Sequence, residues 1–164
     1  IGQTVASRAL ALEMNVLGFD PFFSAATALD GRVKIVRDFD EFLKEVDVIT
    51  FHVPGGDATR LLLNRKRLFE VAKKNLLVVN DSRGEVVDEM ALADALKEKR
   101  IAGAALDVLS VEPPAADNPL LKAPRCLITP HIGWATLEAR KRLMDVLTGN
   151  LRAFQQGKPV NVVG

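Results

Sequence analysis

Leu76-Leu77-Val78-Val79-Asn80-Asp81-Ser82-Arg83-Gly84-Glu85-Val86-Val87-Asp88-Glu89 is the stretch on which the reading of the fold turns. Four apolar residues in a row suit a strand buried on both faces, a polar residue follows directly, and from Asp88 to Lys99 the apolar spacing becomes helical. The same switch recurs in both directions along the chain. Strands are predicted at 16–19, 33–36, 48–51, 76–79, 104–108 and 127–128, and helices at 3–14, 40–45, 65–72, 88–99 and 137–156. Strand and helix in strict succession, with short connections, predict an α/β fold around a parallel sheet wound by right-handed crossovers. Such sheets bind ligands at the carboxyl ends of their strands. Asp20, His52, Asn80, Asp107 and Pro130-His131 each follow a predicted strand, so they are expected to converge on one edge.

Composition narrows the function classes. The chain has 164 residues, 48% of them hydrophobic, enough for one folded domain with a substantial core. Its 22 basic and 21 acidic residues nearly cancel, and no basic run interleaves with aromatics, which argues against nucleic acid or an anionic membrane as partner. The single cysteine, Cys126, sits in an apolar run and forms no internal disulfide; it is read as a buried, inert thiol. No apolar stretch approaches the roughly 20 residues that span a bilayer, and a cytoplasmic location is expected. Internal repeats and low-complexity tracts are lacking. Residues 110–124 make one long irregular segment, rich in Pro and Ala, that holds Glu112 and is read as a functional loop.

Three polar residues stand in apolar surroundings: Arg83, Glu112 in Val111-Glu112-Pro113-Pro114, and His131 in Thr129-Pro130-His131-Ile132-Gly133. An arginine clamps a carboxylate bidentately, a histidine carries a proton near neutral pH, and a carboxylate beside the histidine keeps it oriented and charged. Reduction of a 2-keto acid needs those three parts. Singly, each has a bland reading as a surface ion-pair partner, a solvated loop residue or a hydrogen-bonded structural histidine. Their joint order favours a catalytic set. His52 is read as structural, and Trp134 as either a pocket wall or an interface packer. At the start, Gly2 opens a helical pattern and Asp20 ends a strand eighteen positions later, like the tail of a dinucleotide-binding turn whose strand and first two glycines are absent. An acidic residue there accepts hydrogen bonds from an adenosine ribose and repels a 2'-phosphate, favouring NAD over NADP.

With these residues in place the chain resembles the NAD-dependent D-2-hydroxyacid dehydrogenases, the family of D-3-phosphoglycerate dehydrogenase, and within it the glycerate dehydrogenases that reduce hydroxypyruvate. The likeness rests on Ile1-Gly2-Gln3 with Asp20-Pro21, on the N-x-x-R-G-x-x-V-D-E stretch from Asn80 to Glu89, and on Gly103-Ala104-Ala105-Leu106-Asp107-Val108. Glu112-Pro113, the run from Thr129 to Thr136 with its Trp-Ala-Thr ending, and Lys158-Pro159-Val160-Asn161-Val162-Val163 complete it. The resemblance implies a Rossmann-type, doubly wound parallel sheet that lacks its first strand and the N-terminal substrate domain, with residues 1–136 binding NAD and 137–164 packing on the missing domain. It implies that the fragment alone is inactive and that the family's homodimer forms. Arg83 would bind the substrate carboxylate, His131 would donate the proton and Glu112 would pair with it. Ile1, Gly2, Asp20, Pro54, Thr59, Ser82, Asp107 and Gly133 would line the cofactor groove, and no residue is assigned to a metal.

Some positions depart from the family pattern. Asp81 puts a negative charge near both Arg83 and the cofactor and is expected to weaken either contact. Gly55-Gly56 stands where Leu-Thr is common, which predicts a looser cofactor-side loop. Lys74-Asn75 replaces a Pro-Gly turn, harmless because Asn tolerates the left-handed conformation. Rival readings are a catalytically silent, corepressor-like NAD-binding module and a formate dehydrogenase, the latter disfavoured because that branch has Gln where Glu112 stands.

Overall fold

The structure, a computed structural model, describes residues 1–163. They form two compact units, Ile1–Pro130 and residues 131–163, each described by itself.

The first unit carries seven strands among the described residues: β1 (Leu17–Phe19), β2 (Thr27–Ala28), β3 (Val33–Val36), β4 (Val48–Phe51), β5 (Leu77–Asn80), β6 (Gly103–Leu106) and β7 (Cys126–Ile128). Its α-helices are α1 (Gly2–Ala11), α2 (Phe39–Glu45) and α3 (Glu89–Lys97). The strands make two sheets, β1-β3-β2 and β4-β5-β6-β7. Every pairing in the larger sheet is parallel, with Phe51 opposite Asn80 and Asn80 opposite Leu106, so the carboxyl ends of β4, β5 and β6 are in step. In the smaller sheet β1 and β3 are parallel, and the two-residue β2, which hydrophobic spacing does not announce, adds antiparallel to β3.

The core lies under the larger sheet. Leu43, Ile49, Leu63, Leu68, Leu76, Val78, Leu92 and Leu96 are sealed from solvent, and at about 1.5–3 kcal/mol for each large apolar side chain this cluster dominates the unit's stability. Phe19 of β1 joins it through an edge-on contact with Phe39, ring centroids 5.0 Å apart. Helix α2 starts where Asp38 accepts a hydrogen bond from the Glu41 amide (2.8 Å), and α3 where Asp88 accepts from Ala91 (3.0 Å). The helix predicted over 65–72 runs over 65–71, π-helical over Arg67–Val71, with Leu68 buried. Arg67 leaves that helix to reach Asp40 at 2.6 Å and the Leu62 carbonyl at 2.8 Å.

Burial on both faces of the strands is corrected. In β4 and β5 burial alternates, with Ile49, Phe51, Val78 and Asn80 inside and Val48 and Leu77 exposed. Only β6, squeezed between β5 and β7, is buried almost throughout. Asn75 has the left-handed φ of +67° expected for it. Cys126 is half-buried rather than sealed; it packs on the core, and burial pushes its thiol pKa up, which keeps it a poor nucleophile.

The second unit is α4 (Leu137–Gln155) with its flanking turns. Thr136 caps it by accepting from the Ala139 amide at 3.2 Å, and none of its nineteen residues is buried. Among the described residues no helix is long and apolar enough to cross a membrane.

Candidate active site

The turn after β5 is built by one side chain. Asn80, only 1% exposed, accepts from the Ser82 amide (3.1 Å) and hydroxyl (2.9 Å) through Oδ1, and donates Nδ2 to the Arg83 carbonyl (2.9 Å). Its amide is thereby satisfied inside the protein, as a buried polar group must be. The turn it dictates buries Ser82 and leaves Arg83 extended and exposed. Gly84 follows because a Cβ there would fall 1.9 Å from the Leu109 carbonyl carbon, so the turn packs backbone to backbone on the segment after β6. The Arg83 guanidinium gives one donor to the Ser82 carbonyl (2.7 Å), leaving the rest of its planar fork for an anion.

Next to this turn the Asp107 amide donates to the Asn80 carbonyl at 2.8 Å, and the Asp107 carboxylate accepts from the Thr129 hydroxyl. An open hollow of about 110 Å³, lined by Asn80, Asp81, Asp107, Leu127 and Thr129 among others, marks this carboxyl edge. Glu112 Oε1 accepts from the Leu109 amide at 3.0 Å, so its carboxylate closes the turn leaving β6.

On the cofactor side α1 begins at Gly2, and its N-cap, Ile1, supplies no side-chain cap. First-turn amides at a helix start, with the dipole behind them, suit a phosphate. A Cβ on Gly2 would lie 3.7 Å from the His52 side chain, so α1 opens against the end of β4. Asp20 directly follows β1 and accepts from the Phe22 amide (2.9 Å), which orders the loop below it, while Arg37 holds the Ser24 carbonyl at 3.0 Å. Thr59 donates to the Pro54 carbonyl at 2.6 Å, bringing those two predicted residues together. The loop between them is tied down rather than loose: the Gly56 amide donates to Glu85 Oε1 at 2.6 Å. These features fit a dinucleotide, with a helix start for the pyrophosphate and a carboxylate for the ribose.

His52 sits 3.5 Å from Asp81 through Nδ1 and 3.2 Å from the Thr50 hydroxyl through Nε2. Burial lowers its pKa below 6.5, and the Asp81 carboxylate pulls it part of the way back. Asp81 thus has an imidazole beside it, a partner that spacing along the chain does not reveal because the two residues directly follow adjacent strands, β4 and β5, that are distant in sequence. Thr129 and Glu85 were likewise missed as site residues. Thr129 had a signal in standing two positions before His131; Glu85 had none beyond its place next to the Arg83-Gly84 turn.

In the second unit His131 has a left-handed φ of +52°, a conformation rare for a residue with a Cβ, and its carbonyl accepts from Trp134 Nε1 at 2.8 Å. With Ala135, half-buried, donating to the Ile132 carbonyl at 2.9 Å, residues 131–135 form a turn leading into α4 whose first four residues, Gly133 included, are exposed. Of the predicted site residues, Ile1, Gly2, Asp20, Pro54, Thr59, Ser82, Arg83, Asp107 and Glu112 belong to the first unit, and His131 and Gly133 to the second.

Comparison with known proteins accords with this geometry. The model of the family described as D-isomer specific 2-hydroxyacid dehydrogenase, NAD binding domain, matches residues 1–133. A hydroxypyruvate reductase of Blautia hydrogenotrophica is 43% identical over 163 residues, 99% of this chain and 50% of that protein. A D-3-phosphoglycerate dehydrogenase of Archaeoglobus fulgidus is 45% identical over 160 residues, 98% of this chain and 30% of that protein. Among solved structures, D-lactate dehydrogenase with NAD+ from Lactobacillus jensenii superposes with a TM-score of 0.88 at 28% identity, covering 100% of this chain and 50% of that one. The chain belongs to the D-isomer specific 2-hydroxyacid dehydrogenase family, through its Rossmann-type NAD-binding domain. It spans half or less of the length of these curated relatives.

Proposed function

We propose that this chain is the NAD-binding part of an oxidoreductase that interconverts a small D-2-hydroxy acid and its 2-keto acid, with glycerate and hydroxypyruvate as the pair. The observation that carries the reading is the turn shaped by Asn80, which fixes the backbone of Arg83 and leaves its guanidinium exposed at the carboxyl edge of a parallel sheet in an NAD-binding family. Arg83 binds the substrate carboxylate and polarises the keto group. His131 protonates the carbonyl oxygen, and Glu112, negatively charged, favours the imidazolium that does so. Bound NADH supplies the hydride. Asp107 orients the nicotinamide side, the α1 start takes the pyrophosphate and Asp20 the ribose, with Ile1, Gly2, Pro54, Thr59, Ser82 and Gly133 lining the groove.

The choice of hydroxypyruvate is supported by the Trp134-Ala135-Thr136 ending and by the Blautia relative. We place the protein in the cytoplasm and as a homodimer, with residues 137–164 packing on a further domain. The deciding experiment is NADH oxidation by the whole protein with hydroxypyruvate, glyoxylate, pyruvate and 3-phosphohydroxypyruvate in parallel. The preferred substrate is expected to be hydroxypyruvate. His131→Ala should lower kcat by about 10²–10⁴-fold, the range for a lost general acid, and Arg83→Ala should raise KM and lower kcat together. Wild-type turnover in both variants would sink the assignment. NADH binding without turnover on any of the four acids would favour the silent module, and formate-dependent NAD reduction the formate branch.

A further inference from the structure

Residues 54–60 leave β4 with two adjacent glycines, the residue type that gains most freedom when a loop is released. Gly56 has a φ of +117°, open to glycine and strained for any other residue. Such a loop needs an external tie to hold one conformation. One residue supplies two. Glu85 accepts from the Gly56 amide through Oε1 at 2.6 Å, and its own backbone carbonyl accepts from the Leu61 amide at 2.8 Å. It therefore grips the turn at both ends, while the Gly56 carbonyl, accepting from the amides of Thr59 (3.0 Å) and Arg60 (2.9 Å), closes it from within.

Glu85 is also two residues from Arg83, on the turn that Gly84 presses against the backbone after β6. Gly55 makes the junction possible. A Cβ there would lie 2.7 Å from Glu85 Oε1 and 3.3 Å from Arg83 Cγ, so the stem of Arg83 and the carboxylate of Glu85 both rest on the bare glycine. The second carboxylate oxygen meets Arg60 at 3.1 Å, but Arg60 is more than half exposed, and a pair of that kind contributes little. The charge-assisted bond to the Gly56 amide is the stronger of the two contacts.

We propose that Glu85 is a positioning residue that locks the 54–60 loop to the Arg83 turn, so that the cofactor side and the substrate arginine move as one body. The functional half of this statement rests on the proposed dehydrogenase reading; the mechanical half does not. Four single variants of the whole protein separate them: Glu85→Ala, Glu85→Gln, Arg60→Ala and Gly55→Ala.

Without cofactor, amide hydrogen exchange at Gly56 should quicken by about tenfold or more in Glu85→Ala, the effect of losing one hydrogen bond to a charged acceptor. Glu85→Gln, whose amide oxygen still accepts from Gly56 but without the charge, should quicken it distinctly less than Glu85→Ala, and Arg60→Ala should stay near wild type. Gly55→Ala should behave like Glu85→Ala, because the added methyl pushes the carboxylate aside, and Glu85→Ala placed on top of it should add little. With NADH and the keto acid, Glu85→Ala should raise KM for both, and Glu85→Gln should restore both. Loss of the effect at Gly56, equal damage from Glu85→Gln, or a full effect from Arg60→Ala would each overturn the lock. Gly56 exchange that follows Glu85 in a protein that neither binds NADH nor turns over a keto acid would retain the lock and refute the enzymatic reading.

Discussion

Helices α3 and α4 begin alike and end up in opposite environments. Each is opened by a side-chain cap, Asp88 or Thr136, and each carries an apolar stripe. Yet α3 buries Ala91, Leu92, Ala93, Ala95 and Leu96 within nine residues, while α4 buries none of nineteen. Leu143, Met144, Leu147, Leu151 and Phe154 of α4 are all exposed. Caps and spacing therefore determine that a helix forms, whereas burial depends on what the rest of the chain brings against it.

Core truncation tests this contrast most severely. Leu92→Ala, which empties a fully buried site, should destabilise the first unit by about 2–5 kcal/mol in denaturant titration. In this chain on its own, Leu147→Ala on α4 should cost no more than about 0.5 kcal/mol, the usual bound for a surface substitution. A loss at Leu147 comparable with that at Leu92 would show that the stripe of α4 is covered in solution, and a matching change in sedimentation would identify a second copy as the cover.

Cap removal is the next largest effect. Asp88→Ala should lower the stability of the first unit by about 1 kcal/mol, because α3 unfolds only with the core around it. Thr136→Ala should lose a similar increment locally, seen as fraying of α4 by amide exchange, with the denaturation midpoint of the first unit unmoved.

The smallest expected effect is a pH dependence confined to the first unit. His52 has a folded pKa below its unfolded value of 6.5, because burial disfavours the imidazolium more than Asp81 favours it. The unfolded chain then binds the proton more readily, so stability is fully present above 6.5 and declines as pH falls through the lowered value. His52→Gln should flatten that decline in the first unit's urea midpoint and leave the helicity of α4 unaffected.

Much of the carboxyl edge could be read from sequence because it is locally encoded. The strand register of β4, β5 and β6 brings His52, Asn80 and Asp107 to within one residue of a common level, and apolar runs place those strands to within two residues. The turn presenting Arg83 is equally local, since Asn80 reaches only two and three residues ahead. Three features lay outside that reach. The His52 pairing with Asp81 spans 29 positions, as does the Glu85 tie to Gly56. The one-sided exposure of β4 and β5 depends on which face the helices cover, which strand composition alone misjudged.

By itself the sequence determined the order of strands and helices apart from β2, the polar residues that end the strands, and the family to which Asn80 through Glu89 and Thr129 through Thr136 point. All of these are short-range patterns, set by backbone sterics, side-chain spacing and hydrogen bonds within a few residues. Tertiary structure alone decided that the strands divide into two sheets, that Gly55 is the seat shared by Arg83 and Glu85, and that α3 is core while α4 is surface. Those outcomes depend on contacts between segments distant in the chain, whose free energy appears only once the fold has brought them together.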